Sequence, residues 1–429
     1  MMDTTQKGLQ LNRGVSIVGV GYTPFGLIQK TPEIKDFTER ELISMAFIEA
    51  LKDAGLEAKD VDAFFVAQYM AETLSSSNSV AGLYADWLGL RLKPGFHMEG
   101  ACCSSTLTLR NAVQMVASGM ADTVLSCAVE TTSCVPAAGK PAHFREQMPT
   151  DELWEKTMYG CDHGYAYWSG TPTSFDGASL EYAKRHGLTL EQLDDVLNSA
   201  AYNNRRAGVL NPKAVMATKT FDEEAAEHGM TNGMEFLRSE FNPKFSVSAR
   251  FLHCAATCDG ASAIIVMAND CVKKYGLESR AVEVAGFGTA AATLASQIEQ
   301  YEAAARAAYR MAGITDPRRE IDYFSPHDCL IARQFTQSEA AGFFQPGEAW
   351  KYILEGRTAW DGDRPFHTSG GRSSMGHAWS ASAGAEVAEA VIQMRGEAGA
   401  RQTKVPVQCA MIMNEGAGPN VNVTILKKA

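Results

Sequence analysis

One order of strand, glycine pair, helix and strand occurs twice in this chain, and that duplication constrains its fold more than any other feature. Ser16-Ile17-Val18-Gly19-Val20-Gly21 reads as a buried strand ending in glycines. Leu42, Met45, Ala46, Ile48, Ala50 and Leu51 then recur at helical spacing over 41–54, Gly55 supplies a C-cap, and 61–66 is a second apolar strand. In the second half Val282-Glu283-Val284-Ala285-Gly286-Phe287-Gly288 repeats the first strand, 303–312 the helix closed by Gly313, and Ile321-Asp322-Tyr323-Phe324 the second strand. Ala-Gly-Leu at 54–56 is answered by Ala-Gly-Ile at 312–314. A third unit follows in each half: helix 106–118 with strand 123–129, and helix 383–394 with strand 405–413. Apolar strands alternating with helices predict parallel sheets covered by helices, in two similar α/β units packed against each other.

Residues 131–245 break the pattern. They are rich in aromatic and polar residues, among them Trp154, Tyr159, Tyr165, Tyr167 and Trp168, and carry a helix pair over 174–186 and 190–207. We read them as an insertion that folds over a site, after which the first unit resumes with the glycine turn and strand of 259–267. The expected divisions are 1–130 plus 246–275 for the N-terminal half, 131–245 for the inserted loop domain, and 276–429 for the C-terminal half.

With 45% hydrophobic and 21% charged residues, the chain can bury a large core and is not disordered. Its formal charge of −11 and lack of a basic patch point away from nucleic acid. No apolar run reaches the roughly 20 residues of a membrane helix, and the polar start is unlike a signal peptide. Ten scattered cysteines are too sparse for a disulfide scaffold. These features predict a cytoplasmic protein without membrane or nucleic-acid partners.

Chemistry concentrates in four loops. Gly100-Ala101-Cys102-Cys103-Ser104-Ser105-Thr106 opens a helix, where unpaired N–H groups favour a thiolate, although a cysteine there is also a common small buried hydrophobe. Ser325-Pro326-His327-Asp328-Cys329 follows a strand, at the sheet edge where open α/β folds bind ligands. Gly370-Gly371-Arg372-Ser373-Ser374-Met375-Gly376-His377 ends in a histidine before a helix, and Asn414-Glu415-Gly416-Ala417-Gly418-Pro419-Asn420 is a glycine loop able to aim N–H groups at an oxyanion. A cysteine with two histidines suits a thiol nucleophile with its base and a partner. His253, Cys254 and Cys258 lack a fourth ligand for zinc. Asp322, His367 and Arg372 read equally well as local hydrogen-bonding residues.

These four motifs, in this order over the whole length, resemble the thiolase superfamily, and within it the sterol-carrier-protein-type thiolases that carry His-Asp-Cys. The resemblance implies a thiolase fold: two βαβαβαββ halves packed in αβαβα layers with an inserted loop domain. It takes Cys103-Ser104-Ser105 as the Cys-x-Ser motif and makes Cys103 the nucleophile that carries the acyl group. His377 would take its proton and help hold the enolate oxygen, His327 would be the other donor to that oxygen, and Cys329 the acid/base at the α-carbon. The N–H groups of Cys103 and Gly416 would form a second oxyanion hole. Asn414 stands where most thiolases have a cysteine, Ala378 where they have proline, and Thr106 where glycine follows Cys-x-Ser. These departures and Trp379 point away from straight-chain substrates.

The implied activity is acyl transfer between a 3-oxoacyl-CoA and CoA, with no permanently bound cofactor and no metal. The expected direction is thiolytic cleavage of a bulky or aromatic 3-oxoacyl-CoA such as benzoylsuccinyl-CoA. The rivals are a biosynthetic acetoacetyl-CoA thiolase, a retro-aldolase of steroid side chains, and a non-catalytic scaffold that kept the fold. A small zinc-ribbon/OB-fold partner and a homodimer or higher oligomer are expected from the same resemblance.

Overall fold

The computed structural model describes residues 11–71, 79–134, 171–291, 296–416 and 420–428. The first half runs β1 (Val15–Tyr22), α1 (Glu39–Ala54), β2 (Ala63–Ala67), β3 (Gly95–His97), α2 (Ser104–Ala117) and β4 (Thr123–Thr131). Helices α3 (Thr171–His186) and α4 (Leu190–Gly208) precede its last strand, β5 (Asp259–Ala268). The second half runs β6 (Val282–Ala291), α5 (Gln297–Ala312), β7 (Tyr323–Ser325), α6 (Arg333–Ala340), α7 (Gly371–Met375), α8 (Trp379–Arg395), β8 (Cys409–Glu415) and β9 (Asn420–Lys428). Trp154, Tyr159, Tyr165, Tyr167 and Trp168 lie outside the described residues.

The duplication extends to individual atoms. Helices α1 and α5 each start at a capping box, Thr38 with Glu41 and Ser296 with Glu299. Each ends at a glycine in the left-handed region, Gly55 at φ +66° and Gly313 at φ +69°. Strands β1 and β6 each shift register once, between Ile17 and Gly19 and between Val284 and Gly286. Their glycines let a helix lie directly on the strand. A Cβ at Gly19 or Gly21 would strike the carbonyl oxygens of Ala50 and Ala46 in α1, and one at Gly286 or Gly288 those of Ala308 and Ala304 in α5. Asp62 Oδ2 accepts the N–H groups of Asp122 and Thr123 ahead of β4, and Asp322 Oδ2 those of Gln408 and Cys409 ahead of β8. That clamp starts β8 at Cys409 rather than at 405.

The strands form one sheet in the order β3-β2-β4-β5-β1-β6-β9-β8-β7. Outward from the central β1–β6 pair, β5, β4 and β2 on one side are answered by β9, β8 and β7 on the other. The sheet is mixed, which corrects the expectation of parallel pairing throughout. Among the described strands, only β2–β3, β2–β4 and β7–β8 are parallel. The connection from β8 to β9 is too short for a crossover, so β9 pairs antiparallel with β8, and β5 lies likewise against β4. Helix α8 is buried almost all round, as suits a helix held in a central layer, and packs on α2, β1, β4 and β5. Helix α1 covers β1 and β5, and α5 covers β6 and β9, which gives the alternating layers of helix and sheet.

This symmetry brings two of the expected site loops together. Cys103 caps α2, and His377 lies two residues before α8, so the first turns of the two central helices meet in mid-molecule. The Ser105 hydroxyl accepts the N–H of Gly384 at 2.7 Å, joining the two helices directly. Gly21→Ala and Gly288→Ala should each cost about 1–3 kcal/mol by forcing helix from strand. An unchanged urea midpoint for either variant would contradict this account of the close packing.

Candidate active site

The cysteine loop approaches α2 through Ala101, whose φ of +51° puts a non-glycine residue in the left-handed region. The chain then turns through Ala101–Cys103, and the two neighbouring cysteines point apart. Cys103 points inward. It is 0% exposed, its Sγ donates to the Gly100 carbonyl at 2.9 Å, and burial pushes its thiol up to about 12 against a smaller opposing pull from the Asn422 amide. Cys102 is half-buried, and its Sγ lies with ring nitrogens of His327 and His377, all within 4.8 Å of one another. The thiol gathered with both histidines is therefore Cys102, which corrects the expectation that Cys103 holds that place. Cys-x-Ser fits both Cys102-Cys103-Ser104 and Cys103-Ser104-Ser105, and the orientation of adjacent side chains after the Ala101 turn is what separates them.

His377 extends from the loop before α8. Its backbone is pinned between Ala256 and Cys258, with its N–H on the Ala256 carbonyl at 2.8 Å and its carbonyl accepting from Cys258 at 3.2 Å. Its Nδ1 lies 2.9 Å from Ser382 Oγ, and its buried Nε2 has no hydrogen-bond partner among the described residues. The His327 ring stands perpendicular to it, with ring centroids 6.0 Å apart. His327 is held at two points, its N–H donating to Gln337 Oε1 at 2.7 Å and its Nδ1 accepting the N–H of Glu415 at 3.2 Å, and its Nε2 lies 3.2 Å from Arg372 Nη1. Burial first, and the Arg372 charge second, hold both imidazoles well below the usual histidine range.

Asp328 does not face the histidine pair. It accepts the Arg372 N–H at 2.8 Å, the Asn204 amide and the Ser373 hydroxyl, locking the His-Asp-Cys loop to α7 and to α4. A Cβ at Gly371 would collide with that carboxylate, so only glycine fits there. The Cys329 thiol is pushed well up, by burial and then by the charge of Cys102, and so stays protonated. The N–H of Cys103 donates to Gly100 at 3.2 Å and that of Gly416 to Asn420 at 2.8 Å. Both expected second-hole donors are thus engaged with backbone carbonyls in this arrangement. Gly416 still sits against the cysteine loop, since a Cβ there would lie 3.4 Å from Cys103 Sγ and would strike the Gly100 carbonyl.

Sequence reasoning passed over the supports beneath these residues. Arg333 pairs with Glu415 at 2.9 Å, and Gln337 and Tyr301 also bond that carboxylate. Arg372 pairs with Glu386 through Nε at 2.6 Å and Nη2 at 3.1 Å. Both arginines are buried, and a buried arginine demands a carboxylate partner. Arg372 in a glycine- and serine-rich loop was the available signal.

Cys102, His327 and His377 also have the spacing of a metal site. Their surroundings do not suit a cation. A ligating histidine gives its other ring N–H to an acceptor, whereas His327 Nδ1 accepts an N–H, and a guanidinium stands 3.2 Å from its Nε2. His253 is satisfied by Asn198 Oδ1 at 2.8 Å and by the Arg250 N–H at 3.1 Å, as a structural imidazole.

The layered fold with its duplicated half defines a thiolase-fold protein. Residues 15–270 match the thiolase N-terminal domain and residues 289–428 the thiolase C-terminal domain-like family, and the chain belongs to the thiolase family. It is similar to acetyl-CoA acetyltransferase of Methanothermobacter thermautotrophicus, at 30% identity over 91% of this chain and 94% of the relative. It is similar to human sterol carrier protein 2, at 27% identity over 97% of this chain and 72% of that protein. The solved Ltp2-ChsH2(DUF35) aldolase superposes with a TM-score of 0.72 at 20% identity, over 97% of this chain and 98% of that one. Membership places the chain among the thiolase-type acyltransferases, a family whose members use CoA as a substrate.

Stability should fall as pH drops through the histidine range. His253 is pushed down to about 3 by burial, and His327 and His377 move the same way, while an unfolded histidine titrates near ~6.5. Below that pH the unfolded chain binds more protons than the native one, so each buried imidazole costs up to about 1.4 kcal/mol per pH unit. Thermal melting between pH 7 and 5 tests this. His253→Gln should flatten the slope, and an unaltered slope would contradict the assignment.

Proposed function

We propose that this chain cleaves a 3-oxoacyl-CoA with CoA through a thioester on Cys102, and the cluster of that thiol with His327 and His377 carries the reading. With its proton on Nδ1 and donated to Ser382, His377 offers the Nε2 lone pair to the Cys102 thiol. The resulting thiolate attacks the 3-oxo carbonyl. The bond between the α- and β-carbons breaks, its electron pair moves onto the thioester oxygen, and the Cys329 thiol delivers a proton to the α-carbon. The proton held by His377 restores Cys329. CoA then takes the acyl group from Cys102 and returns its thiol proton. One 3-oxoacyl-CoA and one CoA become two acyl-CoA molecules.

The acyl group we propose is bulky or aromatic, with benzoylsuccinyl-CoA as the specific candidate. Trp379, at the start of α8, meets Tyr69 edge to face with centroids 5.9 Å apart, and the Tyr69 phenol feels the charge of Cys102. An aromatic pair within the field of the proposed nucleophile supports this reading. The naming of the archaeal relative as an acetyl-CoA acetyltransferase favours a second reading, a short acyl group and acetoacetyl-CoA. A small zinc-ribbon/OB-fold partner is proposed as well, supported by the DUF35 component of the similar aldolase. We further propose a homodimer or higher oligomer.

Intact-protein mass after mixing with acetyl-CoA and an aryl-acyl-CoA tests the chemistry. An acyl adduct is expected in wild type and Cys103→Ala and absent in Cys102→Ala. The reverse pattern would return the nucleophile to Cys103, and no adduct with any CoA, even with the partner added, would favour the scaffold. For the acyl group, Trp379→Ala should lower kcat/KM for an aryl substrate by roughly 10-fold or more and spare acetoacetyl-CoA. Equal losses on both would remove the aromatic pocket.

A further inference from the structure

Arg372 sits in the reaction centre with one nitrogen uncommitted to its ion pair. Nε and Nη2 are taken by Glu386, whose Oε2 also accepts from Asn414 Nδ2 at 2.5 Å. Nη1 points the other way, 3.4 Å from the carbonyl of Cys102 and 3.2 Å from His327 Nε2. One Nη1 hydrogen can serve the Cys102 carbonyl, and the other is aimed at the imidazole.

That imidazole has no acceptor to offer. Its Nδ1 accepts the Glu415 N–H, so a neutral ring carries its proton on Nε2. Nε2–H and Nη1–H therefore oppose each other, donor against donor. Protonating the ring would worsen the conflict by placing two cations side by side, and burial with the Arg372 charge already disfavours it. The arrangement becomes favourable when an oxygen bearing negative charge lies at the apex of the two donors. A second observation points to the same place: His377 Nε2, in the same cluster, is buried without a partner among the described residues. It becomes an N–H donor once it has taken the Cys102 proton.

We propose that Arg372 is a catalytic residue that donates Nη1–H to the thioester enolate oxygen, beside His327 and His377. This rests on the thiolase reading above and deepens it. A guanidinium held by Glu386 supplies a fixed charged donor where the electron pair of the broken carbon–carbon bond arrives, and charge-assisted donors are the strong ones. The backbone contact to Cys102 sets the same side chain against the turn that carries the nucleophile, so one group registers the thiol and the oxyanion together.

The test separates enolate formation from acylation. Exchange of the α-hydrogens of acetyl-CoA with solvent deuterium reports the enolate, and intact mass reports the Cys102 adduct. The double variant Arg372→Met with Glu386→Gln removes the donor without leaving a buried unpaired carboxylate. Exchange should fall by about 100-fold or more while adduct formation changes far less. Arg372→Lys, which keeps a charge and a donor, should recover part of the exchange. A second variant guards against misfolding of the first: Glu386→Gln alone leaves Arg372 less neutralised and should lower the apparent pKa at which bound acetoacetyl-CoA becomes its absorbing enolate. Exchange at the wild-type rate in a folded double variant, or an unchanged or raised apparent pKa in Glu386→Gln, would overturn the proposal. Equal loss of exchange and adduct would reduce Arg372 to a structural support. Failure of wild type itself to form an adduct would instead remove the thiolase reading.

Discussion

Two buried ion pairs, Arg333 with Glu415 and Arg372 with Glu386, hold loops from different parts of the second half in one place, and the site depends on them. Desolvating a charge is expensive, and an ion pair offsets that cost only where geometry and further hydrogen bonds are good. Here the extra bonds are made by site-supporting groups. Gln337 bridges Glu415 and the His327 backbone, Asn414 bonds Glu386, and Arg372 reaches the Cys102 carbonyl. Losing either carboxylate would strand a buried cation next to the histidines. These pairs therefore set the position and the protonation state of the candidate site groups more than they add to stability.

The protonation states follow from the same burial. Both site imidazoles are kept neutral, so one of them can accept a proton, while the Cys329 thiol is kept protonated and can give one. Moving groups of opposite type out of water pushes bases down and acids up, which separates proton acceptor from proton donor in a single cavity. Cys103 lies on the acid side of that division, held as a buried thiol by the Gly100 carbonyl, and packs the base of the loop that presents its neighbour.

Much of the architecture was legible in residue order. The glycine pairs at 19/21 and 286/288, the capped helices and the αL glycines at 55 and 313 are local signals, and local signals specify strands, helices and their ends. Pairing direction was not legible, because apolar strands separated by helices look alike whether a later strand adds parallel or antiparallel. His327 and Cys329 were readable as loop residues after a strand, and His377 as the end of a glycine-rich loop before a helix. Arg372 was visible only as an isolated charge in a glycine-rich loop, with nothing nearby in sequence to name Glu386, 14 positions on, as its partner.

Sequence by itself determined the duplicated α/β plan, the four loops that form the candidate site and membership of the thiolase family. Tertiary structure alone decided which of two adjacent cysteines meets the histidines. Both satisfy the Cys-x-Ser spacing, and a one-residue ambiguity in a turn reverses the direction of a side chain. In the turn that follows Ala101, at φ +51°, Cys102 lies with His327 and His377 while Cys103 faces the Gly100 carbonyl.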